Sequence, residues 1–363
     1  MGRPRTVYRG KRKYSWIITL AVFLLVILLI LAVWLFYDLQ RYVVYDKDGA
    51  RLVLPSQRTD TLPLDADASQ GASRPAGPVE VELVVDSADY SNVSTGAGQD
   101  LAPLHARYYA FADINERSMD FEHRGLGEYN ALILELKAAD GFLCYRSGLA
   151  LTDSYAVNGT LDLGAALETL RAVNPEVWLV ARISAPLDTA MATRNVPAAL
   201  KKTDGTVYQE DGQAWLDPYS DTTRDYLGAL LRELKALGFD EVLLGGYTCP
   251  AGERVQFSKA MTVPPTARDA LVSFGLWLRE EADALGLKLS VVLEPETFSE
   301  DESEPMGQDA ALFLRIFDRV AFDTAAVSAD DALAQLSSSA GDAETRLLPI
   351  VAEARESGSF AVK

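Results

Sequence analysis

Short apolar runs alternate with longer amphipathic stretches over the C-terminal part of the chain. Eight runs have the length of buried β-strands, and they lie at residues 107–112, 130–136, 177–183, 241–244, 287–293, 319–323, 347–352 and 359–362. Apolar residues at helical spacing occur between several of them, at residues 163–173, 222–238 and 267–286. Alternation of strand and helix predicts an α/β protein with a parallel sheet.

The number of repeats favours a closed barrel. Eight predicted strands with helices between them are typical of a (β/α)8 TIM barrel. Gly238 and Gly286 each end a predicted helix shortly before the next strand, as glycine commonly does. A doubly wound open sheet is the alternative, because the last strand is followed by no closing helix before Lys363.

The N-terminal pattern is different and predicts a membrane anchor. Residues 15–36 carry no charge over 22 residues, which at about 1.5 Å per residue spans a hydrocarbon core of about 30 Å. Six basic residues precede this run, and no acidic residue occurs before Asp38. We therefore expect a cytoplasmic tail at 1–14, a single-pass transmembrane helix at 15–37 and an extracellular C-terminal domain. A cleaved signal peptide is disfavoured, because the run is long and no A-x-A-like site follows it.

The segment after the predicted anchor reads as a hairpin and a tether. Two apolar runs flank Asp48-Gly49, which is a hairpin signal. Residues 55–78 are rich in Pro, Ala, Ser and Asp and are typical of a flexible linker. We therefore predict a juxtamembrane hairpin and linker over 38–78 and an extracytoplasmic barrel domain over 79–363.

Charge narrows the choice of partners. Outside the predicted cytoplasmic tail the chain has 28 basic and 52 acidic residues, a net charge of −24. Nucleic acid and anionic lipid would repel such a domain. Neutral polymers such as polysaccharides and cell-wall glycans remain, as do cationic partners.

Few residues suit metal, redox or triad chemistry. The chain has only two histidines, which excludes a His-rich metal site, and neither lies at a predicted strand end, which disfavours a Ser-His-Asp triad. Cys144 and Cys249 are either a disulfide or two buried thiols. The acidic loop at 298–309 lacks the spacing of an EF-hand. We therefore predict no metal and no cofactor.

Ionisable side chains collect where the predicted strands end, which is where barrel enzymes carry their active sites. They are Glu135, Lys137 and Asp140 after the second strand, Arg182 after the third, Glu294 and Glu296 after the fifth, and Asp323 after the sixth. Because alternate residues of a strand share a face, we expect Glu135 and Lys137 to point into the mouth and Leu136 to pack outward.

This set suits a sugar site. Glycosidases use two carboxylates about 5 to 10 Å apart, and aromatic rings stack on sugar faces. For an active glycoside hydrolase we expect Glu294 or Glu296 as the catalytic acid, with Glu135 or Asp323 as its partner. The predicted substrate contacts are Lys137, Asp140, Arg182, Trp215, Asp217, Tyr247 and Glu296. The alternative for Glu135, Lys137 and Asp140 is a structural ion-pair cluster.

Several stretches resemble a bacterial glycoside hydrolase family of (β/α)8 barrels that is distantly similar to the α-amylase superfamily. They are NALILELKAADGFLCY, VWLVARISAPLD, WLDPYSDTTRDYLGALLRELKALGFDE and the proline of TCP. The resemblance covers roughly residues 104–363. The family's acid-lysine pair corresponds to Glu135 and Lys137, its third-strand arginine to Arg182, and its Trp-x-Asp-Pro element to Trp215, Asp217 and Pro218.

The fourth strand departs from that family. The family pattern is Asp-Tyr-x-Arg-Phe-Pro, whereas this chain has Gly245, Gly246, Thr248 and Cys249 in place of the aspartate, tyrosine, arginine and phenylalanine, and keeps Pro250. The resemblance implies that the missing aspartate is the nucleophile. Two functions follow: a degenerate barrel that binds glycan or a partner protein without turnover, or an active glycoside hydrolase with a relocated carboxylate pair.

Overall fold

A computed structural model describes residues 43–46, 49–52, 90, 92–121, 126–252, 254–259, 265–298 and 306–363. The predicted basic tail and the anchor at 15–37 lie outside these residues, as does the linker at 55–78. Within the described residues, no helix is both long enough and apolar enough to cross a membrane.

Two compact units divide the chain, Met1–Leu83 and Val84–Lys363. In the first, the described residues form two antiparallel strands, Val43–Asp46 and Gly49–Leu52, with Asp46 opposite Gly49. The two strands pair as the predicted hairpin requires, but Gly49 belongs to the second strand, so residues 47 and 48 lie between the strands.

The second unit contains a closed barrel of eight parallel strands in chain order. The strands are β1 His105–Tyr109, β2 Ala131–Lys137, β3 Trp178–Ser184, β4 Glu241–Gly245, β5 Lys288–Leu293, β6 Val320–Asp323, β7 Leu347–Val351 and β8 Phe360–Val362. Closure confirms the predicted barrel and excludes the open sheet. Only β1 differs from its prediction by more than one residue, and it ends three residues early because Phe111–Asp113 forms a 3-10 turn instead of continuing the strand.

Helices follow most strands. They are α1 Ala150–Ser154, α2 Leu163–Val173, α3 Thr189–Arg194, α4 Asp221–Ala236, α5 Ala267–Leu285, α6 Ala310–Ile316, α7 Ala329–Ala340 and α8 Ala343–Arg346. The longest, α5, begins with a capping box between Thr266 and Asp269 and ends at Gly286, whose φ of 65° is the left-handed conformation that glycine favours.

Inward-facing side chains of β3 to β6 form three layers. Because alternate residues share a face, positions two and four residues apart along each strand point the same way. The bottom layer is Trp178, Glu241, Ser290 and Arg319, which immediately precedes β6. The middle layer is Val180, Leu243, Val292 and Ala321, which belong to one buried apolar cluster. The top layer, at the carboxyl ends of the strands, is Arg182, Gly245, Glu294 and Asp323.

A buried polar network fills the bottom layer. The Glu241 carboxylate accepts hydrogen bonds from Ser290 Oγ at 2.6 Å and Trp178 Nε1 at 2.9 Å, and it forms an ion pair with Arg319. The Arg319 guanidinium also donates to the carbonyls of Thr345 and Ala102. Glu241 is fully buried and Arg319 nearly so, and these partners offset the cost of removing two charges from water.

We predict that Glu241→Ala lowers the free energy of unfolding by about 3 to 5 kcal/mol, because it leaves a buried guanidinium without its carboxylate. Glu281→Ala is the matched control, since Glu281 pairs with Arg232 at 3.7 Å on the surface; exposed pairs contribute about 1 kcal/mol or less. Chemical denaturation measures both variants. Equal losses would contradict the role given to the bottom layer.

Candidate active site in the barrel mouth

Arg182 lies at the centre of the top layer. Its Nη1 contacts Glu135 Oε1 at 3.1 Å and donates a hydrogen bond to the Tyr108 hydroxyl. The Tyr108 hydroxyl and the Phe111 N–H each donate to Glu135 Oε2 at 3.1 Å. Both oxygens of Glu135 are therefore engaged, and its carboxylate is fixed against β1 and β3.

A second ion pair closes the other side of the mouth. Lys363, just after β8, binds Asp323, and its ammonium lies 5.7 Å from the centroid of the Tyr108 ring. Burial raises the pKa of Asp323, but the Lys363 hydrogen bond, the Ala325 N–H and the charges of Lys363 and Arg182 outweigh it. The net result is a pKa below the usual value. Asp323 is therefore held in its ionised form.

Glu294 has the opposite environment. Burial raises its pKa above the usual value, and Glu296 adds to the rise, against the charge of Arg182 and a hydrogen bond from the Gly246 N–H. Its own main-chain N–H donates to Gln308 Oε1 at 2.8 Å. Glu294 therefore keeps its proton to a higher pH than an exposed glutamate, as a general acid requires.

Glu294 and Asp323 are neighbours with opposite pKa shifts. Leu293 lies opposite Phe322 in the β5–β6 pairing, so the next residue of each strand sits side by side across a strand spacing of about 4.8 Å. One carboxyl is biased towards the acid and the other towards the base, which is the division that acid–base catalysis uses.

A cavity of about 430 Å³ opens beside Glu294. Its lining consists of Leu187, Gln213, Thr248, Glu294, Glu296 and Met306. The volume lies within the range of about 300 to 1,000 Å³ that is usual for small-molecule sites. Two of the predicted residues, Glu294 and Glu296, therefore line a space that can hold a ligand.

Gly245 leaves a gap in the top layer next to Arg182. A Cβ at this position would lie 3.0 Å from Arg182 Nε and 3.3 Å from Nη2, and these two atoms are its nearest neighbours. The buried Nε–H of Arg182 has no hydrogen-bond partner among the described residues. One edge of the guanidinium is thus directed at the position where the similar family carries its aspartate.

Gly246 is constrained by its backbone. Its φ is 54°, and a Cβ there would lie 2.5 Å from Ser184 Oγ and 3.0 Å from Leu187 Cβ. A tyrosine, as in the family pattern, would clash with the end of β3 and strain the chain. The difference from the family pattern at the fourth strand therefore includes the backbone conformation of the loop that follows it.

Lys137 does not point into the mouth, and that prediction is wrong. A β-bulge between Glu135 and Lys137 shifts the register against β3. The Lys137 ammonium is fully buried, 2.8 Å from Asp188 and bonded to the carbonyl of Ser184. Leu136 packs in the outer core as expected. The ion pairs here are Glu135–Arg182 and Lys137–Asp188, so the proposed Glu135–Lys137–Asp140 cluster is also wrong.

The other predicted sugar contacts near β3 and β4 are packed away from solvent. Trp215 is 1% exposed and donates to Thr248 Oγ1 at 3.2 Å. Tyr247 is fully buried among Phe274, Phe313 and Phe317 and donates to a carbonyl. Neither ring can stack on a sugar, so both predictions are corrected: these aromatic bodies fill the core with their polar ends satisfied.

Asp217 and Asp140 hold loops. Asp217 is 1% exposed and accepts from the N–H groups of Tyr219 at 2.9 Å and Ser258 at 2.6 Å, and burial raises its pKa. Its predicted contact with substrate is therefore also corrected. Asp140 is exposed and accepts from the Phe142 N–H at 3.0 Å, in the turn after β2.

Sequence reasoning missed Tyr108, Lys363 and Gln308. Tyr108 has the parity of Ala106, and Lys363 that of Ala361, and both alanines face the barrel interior. Strand alternation could therefore have found these two. Gln308, whose amide also donates to the carbonyls of Tyr247 and Val292, follows an acidic loop and gives no pattern signal.

Neither cysteine belongs to the candidate site. Cys144 is half-buried and Cys249 is buried, and both are free thiols. Burial raises the pKa of Cys144 to about 12, so it is an unreactive thiol. Among the described residues, no group of three or more His, Cys, Asp or Glu side chains could hold a metal ion.

A closed parallel barrel with ionisable side chains at its strand ends is the architecture of a TIM-barrel enzyme. Residues 108–321 match the family described as "Putative glycosyl hydrolase domain". Because this match covers more than half of the chain, the chain belongs to that family. No curated protein matches it.

Solved structures resemble the chain only remotely. A hypothetical protein from Ruminiclostridium thermocellum is 20% identical over 51% of this chain and 96% of its own, with a TM-score of 0.41. A Chromobacterium violaceum chitinase is 14% identical over 69% and 68%, with a TM-score of 0.41. Aspergillus fumigatus Ega3, in complex with galactosamine, is 12% identical over 71% and 81%, with a TM-score of 0.39.

We predict that Glu294→Gln stabilises the protein increasingly as pH rises. A raised pKa means that the folded state binds the Glu294 proton more tightly than the unfolded chain does. Stability is therefore lost as pH climbs from about 4.5 through the raised pKa, and glutamine escapes this loss. Melting temperatures at pH 4 and pH 8 measure the effect, with the exposed Glu296→Gln as control. A Glu294→Gln advantage that is greatest at pH 4 would contradict the assignment.

Proposed function

We propose that this chain is a membrane-anchored, extracytoplasmic member of its glycosyl hydrolase family that binds cell-surface or cell-wall carbohydrate, with a degenerate catalytic site. The observation that carries the proposal is the unpaired Arg182 Nε–H beside Gly245. A buried charged donor without an acceptor is costly, and its position marks where a carboxylate is missing from the top layer.

Carbohydrate is supported by the family and by the mouth. Carboxyl groups and two polar side chains, Gln213 and Thr248, border the cavity, and such groups hydrogen-bond well to sugar hydroxyls. The net charge of the exported part favours a ligand that is not strongly anionic overall. None of the six cavity-lining residues is aromatic, so hydrogen bonds rather than stacking would orient the sugar there.

The ion pairs and hydrogen bonds of the remaining carboxylates are the reason why we expect no turnover. Retaining hydrolysis needs a nucleophile about 5 to 5.5 Å from the acid, and a glycine at position 245 cannot attack an anomeric carbon. Glu135 accepts from Arg182, Tyr108 and the Phe111 N–H. Asp323 is paired with Lys363. Both are therefore tied up in interactions that weaken them as nucleophiles.

Active hydrolysis by a relocated carboxylate pair is the second candidate. The opposite pKa shifts of Glu294 and Asp323 favour it, because a glycosidase needs one protonated carboxyl group and one ionised carboxylate. In this candidate Glu294 protonates the leaving group and Asp323, with Lys363 displaced, is the second carboxylate.

Localisation at the cell membrane rests on the sequence. The charge-free run within 15–37 and the six preceding cations support a single-pass anchor with its N-terminus in the cytoplasm. Protease treatment of intact and of lysed cells tests this orientation. Protection of the barrel in intact cells would contradict it.

The full-length chain, purified in mild detergent, can be titrated with a panel of cell-wall and surface glycans while release of reducing ends is assayed. Binding without release supports the proposal. Release that disappears on Glu294→Gln would establish the second candidate. Absence of both binding and release would count against a carbohydrate function.

We predict that Gly245→Asp raises kcat/KM for a bound glycan about tenfold or more, equivalent to about 1.4 kcal/mol of transition-state stabilisation. The new carboxylate would lie against Arg182, in the same layer as Glu294. Gly245→Asn has the same size without the charge and should remain inactive. Equal rates for wild type and both variants would contradict the prediction.

A further inference from the structure

The cavity beside Glu294 has an acidic lining. The described residues that line it include two carboxyl groups, those of Glu294 and Glu296, and no Lys, Arg or His. Arg182 and Lys363 lie elsewhere in the mouth, outside the lining, and each is already paired with another carboxylate. The negative charge of the cavity is therefore balanced by no side chain of its own lining.

The two carboxyl groups of the cavity repel each other. They flank Pro295, and Glu296 belongs to the short 3-10 turn Pro295–Phe298 that follows β5. The charge of Glu296 contributes to the raised pKa of Glu294, as a nearby like charge does. The Glu296 carboxylate is exposed and forms no hydrogen bond or ion pair with another described residue. A cation in the cavity would relieve this repulsion.

An organic ammonium group suits the cavity better than a metal ion does. A protein site for calcium uses six to eight oxygen ligands, and no group of three or more His, Cys, Asp or Glu side chains among the described residues could hold a metal ion. An ammonium group instead donates separate hydrogen bonds, which carboxylates and amide oxygens accept. Glu294, Glu296 and the amide of Gln213 offer such oxygens in the lining.

The Thr248 hydroxyl is an independent indication of a polar ligand. Thr248 is 8% exposed and lines the cavity, and its Oγ1 accepts a hydrogen bond from Trp215 Nε1 at 3.2 Å. No described residue accepts the proton of this hydroxyl, and a buried donor without an acceptor is costly. A ligand oxygen in the cavity can accept it. A ligand with both hydroxyl groups and an ammonium group therefore matches the whole lining.

We infer that the cavity binds an amino sugar with a free, protonated amino group, so that the glycan of this domain contains hexosamine units without N-acetyl groups. The inference rests on the proposed carbohydrate function and adds the substrate class. Such a glycan is cationic, which agrees with the net charge of −24 outside the predicted cytoplasmic tail. A non-sugar amine has the same cationic chemistry, and the experiment separates the two sources.

Calorimetry on the full-length chain in mild detergent compares a matched pair, the β-1,4-linked tetramer of glucosamine and the same tetramer with every amino group acetylated. The titrations are made at about pH 6, where amino groups are largely protonated, and in about 0.15 M salt, which screens long-range attraction. We expect the amine tetramer to bind at least about tenfold more tightly, because acetylation removes the charge that the two carboxylates attract.

Two lining residues provide the test variants. Glu296→Gln should reduce the preference for the amine tetramer severalfold, whereas Glu168→Gln is the matched control, since Glu168 is exposed on α2 and outside the lining. Gln213→Lys places a cation in the lining and should weaken binding of the amine tetramer. Gln213→Met has a similar size without the charge and should keep the preference.

Equal losses in Glu296→Gln and Glu168→Gln would indicate non-specific attraction to an acidic protein and would overturn the subsite. Equal affinities for the two tetramers would also overturn it and leave the carbohydrate function standing. Binding of neither tetramer would overturn the inference, and the wider glycan panel then decides the carbohydrate function. 1,4-Diaminobutane is the non-sugar amine. If it binds, loses affinity in Glu296→Gln and neither tetramer binds, the result would support an ammonium site and overturn the glycan part.

Discussion

One buried carboxylate, that of Glu241, joins four neighbouring strands at the bottom of the barrel. It binds the side chains of Trp178, Ser290 and Arg319, which come from β3, from β5 and from the residue before β6. A slip of one residue in any of these strands would turn its partner outward and leave the charge unsatisfied. The network therefore fixes the register of β3 to β6.

The same strand register determines the geometry of the barrel mouth. Arg182, Gly245, Glu294 and Asp323 each lie four residues beyond a member of the bottom layer, so the network that fixes those residues inward also directs these four positions towards the barrel interior. Arg182, Glu294 and Asp323 are ionisable, and Gly245 has no side chain. Arg182 is consequently balanced by Glu135 on one edge only, and this asymmetry is what distinguishes the site from a barrel with its strand-4 aspartate in place.

The barrel could be predicted from the sequence because each strand is a short apolar run that is clearly separated from the next. Most predicted strands differ from the observed ones by a residue or less. The prediction placed Glu135, Arg182, Glu294 and Asp323 correctly at strand ends by alternation alone. It failed at Lys137, because a β-bulge breaks alternation and leaves no mark in the hydrophobic pattern. The prediction failed at Trp215 and Tyr247 because the sequence of a loop does not show whether an aromatic side chain is exposed to solvent or buried in the core.

The central claim is that position 245, where the similar family carries its nucleophile, has no side chain in this protein and leaves Arg182 without a carboxylate partner on that side. Incubation of the full-length chain with a 2-fluoro glycoside bearing an activated leaving group, followed by intact mass spectrometry, tests this most directly, because such a reagent leaves a covalent adduct on a carboxylate nucleophile. The account predicts no adduct on the wild type and an adduct at position 245 in Gly245→Asp. An adduct on wild-type Glu135 or Asp323 would contradict it.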